Sequence, residues 1–234
     1  TSGIEWDGFS QKGRAKKDNE HDTENCVDQS ITVYAGKTTK TFANINKAID
    51  YAEGTNGSRV VIGSGDYSAT QVLFSKDDDI TLESHCSPLV GGVWIKDSHG
   101  ITVRGIRSLA TQSGAFVVGN SYDISLQQVQ AHGFLLHDSQ AYSAHASHPP
   151  PAAGIAVTTS HNIAIEYASV TGNHDNGMAI NASHDITIKN ATLTGNQGHG
   201  LALQQVHTIA VTNSVISHNS LDGVHINSGA DHVT

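Results

Sequence analysis

The chain is poor in the residues that usually fill a core by bulk. Aromatics make up 6% of its 234 residues, and it holds one methionine, two tryptophans and four prolines. So few rings exclude a core built on aromatic packing, and the apolar residues must be placed in register instead. No run of 18 apolar residues occurs, so a membrane-spanning helix is not expected. Two cysteines, Cys26 and Cys86, are too few for a disulfide framework. One bridge between them and two free thiols both stand open; a bridge would suit an extracellular or periplasmic setting.

Cations are the second shortage. Thirteen Lys and Arg face 22 Asp and Glu, the formal net charge is −9, and only Lys189 lies beyond Arg107. Without a basic patch to hold phosphates, nucleic acid is excluded as a partner. Histidine runs the other way, with thirteen of fifteen at or after His99. Protonating all fifteen would carry the formal charge from −9 to +6, so mild acid is expected to change the surface strongly.

What the chain does have is repetition. Residues 160–227 write out as SHNIAIEYASVTGNHDNGMAIN, SHDITIKNATLTGNQGHGLALQ and VHTIAVTNSVISHNSLDGVHIN, with Ile163, Ile186 and Ile209 spaced 23 residues apart. From each isoleucine, aliphatics fall at +2 and +7, an asparagine at +10 (Asn173, Asn196, Asn219), a glycine at +14 and apolar residues at +15 and +17. Each copy holds three short alternating runs and no stretch long enough for a helix. That is the pattern of a parallel β-solenoid, and the handedness of parallel crossovers makes it right-handed. The fold class is therefore all-β, a right-handed parallel β-helix of about seven coils in which equal repeat positions stack at about 4.8 Å.

Taken in order, residues 1–30 are polar and read as an irregular leader, and residues 31–234 as one β-helix domain. Residues 31–34 (ITVY) read as a strand. Residues 42–53 have apolar side chains at helical spacing, with Thr41 as N-cap and Gly54 past the end. That helix is expected to cap the open end of the solenoid. Coils open at Ile80, Ile101 and Ile124, and then the step to Ile163 is 39 residues, so 16 have been added. They fall in a loop at about residues 133–153 that carries His137, Asp138, Tyr142, His145, His148 and three prolines. No C-terminal cap follows Val233, so the native chain is expected to continue.

The helix TFANINKAIDYA followed by VVIGSGDY resembles the opening of pectate-lyase-like right-handed β-helix proteins. The motif likeness covers residues 31–67 and the repeat likeness residues 80–234. It implies the fold and leaves the reaction open, because lyases, hydrolases, epimerases, phage spikes and adhesins share it. The coil length and the HDNG phrase at residues 174–177 are also similar to mannuronan C5-epimerases. Their Tyr-Gly-Phe-Asp-Pro-His stretch would fall on NGMAIN, HGLALQ or DGVHIN, and no Asp-Pro-His occurs. Polygalacturonase-type hydrolases need clustered aspartates where only Asp222 is present. Calcium-dependent pectate lyases need carboxylates and a cationic base, whereas the one acidic run here, Asp77 to Asp79, sits in a turn.

Two columns read as structural. The asparagines at +10 form an amide ladder. His99, Tyr122, His161, His184 and His207 form a stacked column at −2, where rings pile up rather than converge on one ion. A third column, Val117, Ala156, Ala179, Ala202 and His225 at +16, makes a flat floor that suits a long substrate or another subunit, with oligomerisation through Ala156, Ala179 and Ala202 as one option.

Chemistry converges at one place. Position +13 carries Asn176, His199 and Asp222, and His225 lies on the same outward face. A carboxylate beside His199 would orient it as a general base, with His225 as the partner acid. Asn176, Asn181, Gln204, Tyr142, His145 and His148 are candidate substrate contacts, and Tyr142 or Tyr167 a further proton carrier. No metal set is assigned; His137, His145 and His148 are a weaker metal option, and calcium stays open as a cofactor. Two functions follow. One is an extracellular or periplasmic enzyme acting on a polysaccharide, a lyase or C5-epimerase that removes the proton next to a sugar carboxylate. The other is a non-catalytic carbohydrate-binding, adhesive or structural module.

Overall fold

The computed structural model describes residue 26 and residues 29–110, 114–133 and 153–234. The long insertion, with Tyr142, His145 and His148, therefore lies outside the described residues, as do His137 and Asp138.

The N-terminal end is closed by a cap. β1 (Ile31–Ala35) pairs antiparallel with β2 (Thr38–Phe42) on one side and with β3 (Ser58–Ile62) on the other. Helix α1 (Ile45–Ala52) is shorter than the 42–53 expected, because residues 38–42 are drawn into the hairpin with β1. Its N-cap is Asn44 rather than Thr41, and the Asn44 side chain accepts a bond from the Lys47 amide at 3.1 Å. Ile45, Ala48, Ile49 and Ala52 are buried against the first rung and join the common core.

Beyond the cap the chain winds as about seven parallel turns. The first strands of successive coils, from β3 through Ile80–Glu83 and Tyr122–Gln127 to Asp231–Val233, make one continuous sheet. The second strands (such as Ser169–Thr171) and third strands (such as Met178–Asn181) form two further columns, joined near the N-terminal end through Leu89–Lys96. Ile163, Ile186 and Ile209 pair in register and are each 1% exposed, so they share one inner row. Each such isoleucine contributes about 1.5–3 kcal/mol by leaving water. Ile124 pairs with Ile163 and Phe116 with Ile155, both across 39 residues, while Ala131 still pairs with Ser108 at 23. The jump in register thus falls between Gln130–Gly133, a second strand, and Ile155–Thr158, a third strand of the same coil.

Three ladders hold the turns. Asn173 and Asn196 are fully buried, and each donates its amide N–H and its side-chain Nδ2–H to the Oδ1 of the asparagine one coil on, at 2.8–3.1 Å. Ser98, Ser121, Ser160 and Ser183 form a second ladder, in which the Oγ of Ser121, Ser160 and Ser183 each accept the amide of the preceding coil's serine and Ser98 Oγ accepts that of Asp77. The rings of His99, Tyr122, His161 and His184 stack at 4.8–5.2 Å, the separation the coil pitch imposes.

Cys26 and Cys86 are joined, with their Cα atoms 5.5 Å apart across 60 residues.

Candidate active site

The outward face of the third strands carries the site. Leu73, Trp94, Val117, Ala156, Ala179, Ala202 and His225 pair one to the next along it. In the turn leading into these strands, Asn176, His199 and Asp222 form a ladder of their own. Asn176 Oδ1 accepts the His199 amide at 2.8 Å, and His199 Nδ1 accepts the Asp222 amide at 3.1 Å. Gly198 makes room for this turn, since a Cβ there would lie 2.7 Å from Asn176 Oδ1.

The second bond decides the state of one ring. A nitrogen that accepts an amide N–H carries no proton of its own, so neutral His199 holds its proton on Nε2. His225 is the reverse. Its Nδ1 donates to Asp222 Oδ2 at 3.0 Å, which leaves Nε2 with a free lone pair. The two rings stack at 4.2 Å with 16° between their planes. Two imidazoles in opposite tautomers therefore lie side by side, both held by Asp222, His199 through its amide and His225 through its carboxylate, whose Oδ2 also comes within 3.4 Å of His199 Nδ1. His199 is the more enclosed, with 19% of its side chain exposed against 42% for His225. Among the described residues this is the one group of three His, Cys, Asp or Glu whose donor atoms lie close enough to share an ion, within 4.8 Å of one another. Hydrogen bonds alone already hold it together.

Asp175 adds a carboxyl that spacing did not single out. Burial raises its pKa, against a backbone bond from Asn176 and the nearby His199, and its Oδ2 is buried without a hydrogen-bond partner. The only sequence signal was an acid one residue before the Asn176 column. Asn181 and Gln204 pair in register on the exposed margin of the strip, two residues past the floor. Tyr167 is a correction: it is 58% exposed at the corner between first and second strands, with φ at 55°, and does not share the face of His225.

The family of right handed beta helix regions matches residues 70–234. The chain belongs to that right-handed β-helix family. This β-helix protein is similar in structure to a protein of Parabacteroides merdae ATCC 43184 assigned as a glycosyl hydrolase. The TM-score is 0.51 at 12% identity, over 81% of this chain and 85% of that one. It is also similar to the A-module of the mannuronan C-5 epimerase AlgE6 of Azotobacter vinelandii, with a TM-score of 0.36 and 15% identity over 67% of this chain and 57% of that one. At these identities the likeness concerns the fold. A comparison with curated proteins finds no match.

Proposed function

We propose that this β-helix protein is an extracellular or periplasmic enzyme acting on a polysaccharide, and that His225 and His199 remove and return protons next to a sugar carboxylate. The observation that carries the reading is the pair of stacked imidazoles in opposite tautomers. His225 Nε2 has the lone pair of a general base, and His199 Nε2–H is a ready acid. These roles are the reverse of those expected from spacing, where Asp222 was assigned to orient His199. In a β-elimination, His225 takes the proton on the carbon bearing the carboxylate, the electron pair forms the new C=C bond, and the C–O bond to the leaving sugar breaks. The leaving oxygen then takes the His199 proton. The two rings stack on each other at one end of the strip and meet the sugar from the same face, which suits elimination better than epimerisation, where the proton must return from the opposite face. The Cys26–Cys86 bridge supports the oxidising compartment.

Incubation with a panel of acidic and neutral polysaccharides tests this, following ultraviolet absorbance of unsaturated ends and deuterium exchange next to the carboxylate. His225→Ala and His199→Ala should each lower kcat by about 10²- to 10⁴-fold, and a chelator should leave turnover intact. Absence of both signals in the parent protein would leave the second reading, a non-catalytic carbohydrate-binding module. The small-residue floor of Ala156, Ala179 and Ala202 favours that reading.

A further inference from the structure

The strip that ends at His225 starts its polar track five rungs earlier, at Trp94. At about 4.8 Å per rung the two lie on the order of 24 Å apart. Trp94 is half-buried beside Gly92, where an added Cβ would come 3.7 Å from the indole Nε1. Lys96, two residues on and on the same face, holds its Nζ 4.5 Å from the indole centroid. A cation over a tryptophan face is attracted by the ring and keeps its charge. Among the described residues no carboxylate forms an ion pair with Lys96. The adjacent Asp97 accepts a bond from Asn120 Nδ2. Lys96 is thus a cation steered by an aromatic ring rather than neutralised by an acid.

The rungs between are equally specific in character. Val117, Ala156, Ala179 and Ala202 make a small apolar floor. Beside it, in register with Lys96, run Gly119, Thr158, Asn181 and Gln204, the last three exposed and able to bond hydroxyls. Beyond the adjoining corner, Asp97, Asn120, Tyr122, Thr159 and His161 line a groove of about 380 Å³.

We infer that Trp94 and Lys96 form a distal subsite for a carboxylated sugar of a long polyuronate chain laid along this strip. The inference rests on the reading of His199 and His225 as the reacting end. The indole holds the ammonium over its ring at the surface of the strip, and the ammonium pairs with the sugar's carboxylate as a point charge. It also answers the scarcity of cations after Arg107: the cation the substrate needs stands at the far end of the track.

The test uses His225→Ala protein, which binds without turnover, and titrates it calorimetrically with oligogalacturonates of about four and about eight units, shorter and longer than the strip. The long oligomer should bind at least tenfold more tightly than the short one. Lys96→Gln, an exposed change that leaves the core untouched, should remove most of that advantage, and Trp94→Ala should do the same. A neutral oligomannan should be indifferent to Lys96. Equal affinity for both lengths, or parent-like binding by Lys96→Gln and Trp94→Ala, overturns the subsite. Turnover by the wild-type protein reads the chemistry separately. Turnover with no Lys96-dependent binding sinks the subsite and spares the histidine pair; Lys96-dependent binding without turnover upholds the subsite and sinks the proposed reaction.

Discussion

Asn196 is fully buried, and its whole side-chain amide is used. Oδ1 accepts from the amide and Nδ2 of Asn173 at 3.0 and 2.8 Å, while Nδ2 donates to Asn219 Oδ1 and the Val170 carbonyl at 2.9 and 3.3 Å. Removing it strands the Asn173 donors in a dry turn. Asn196→Ala should therefore cost about 3 kcal/mol, read as a drop in the urea midpoint at unchanged slope. The same amide explains a glycine: a Cβ on Gly177 would lie 2.7 Å from Asn196 Nδ2. Both residues were legible from their 23-residue spacing, because an inward ladder repeats with the coil. The tautomers of His199 and His225 were not. They depend on which atom of Asp222 each ring meets, the amide or the carboxylate, and both belong to one residue.

At the level of elements, helix α1 ends badly for its own dipole. Its last turn holds no basic residue, and Asp50 and Glu53 lie at its negative end, facing Asp77. Asp77 is 2% exposed, and its carboxyl is pushed up to about 7, first by burial, then by a hydrogen bond shared with Glu53 and by the charges of Glu53 and Asp50. The Ser75 amide bond to Oδ2, 2.6 Å, pulls the other way. A carboxyl with a raised folded pKa binds more protons folded than unfolded. Its contribution to stability is therefore full below the ordinary carboxylate range and lost as pH rises from about 4 to about 7. Asp77→Asn keeps an acceptor for Ser75 and removes the charge. It should match the parent at or below about pH 4 and exceed it by about 1–3 kcal/mol near pH 8, by urea unfolding at each pH. A gap that does not widen with pH would show that Asp77 stays charged. The spacing of residues 42–53 foretold a helix here but not its start, since pairing of β2 with β1 outbids helical propensity at Thr38–Phe42.

For the whole molecule, the coils stack on their neighbours alone, so long-range restraint has to come from elsewhere. The Cys26–Cys86 bridge supplies it by closing a loop with a sequence separation of 60 residues. The chain-entropy argument sets its contribution at about 4 kcal/mol. The Cys26→Ser, Cys86→Ser double variant should lose that much by equilibrium denaturation under oxidising conditions, and the parent should lose the same on reduction. An unchanged midpoint in both would mean the unfolded chain is not restrained by the bridge.

The β-helix, its period, the place of the insertion and the inward columns were determined by the sequence alone, since side chains stacked in register must recur at the period of the coil. The convergence of His199, Asp222 and His225 was legible for the same reason. Which ring holds which proton, how Asp77 and Asp175 are buried, and the alignment of Trp94 and Lys96 with His225 were decided only by the tertiary structure. Those depend on rotamers, on turns of unequal length and on pairing across non-repeating coils, none of which leaves a period behind.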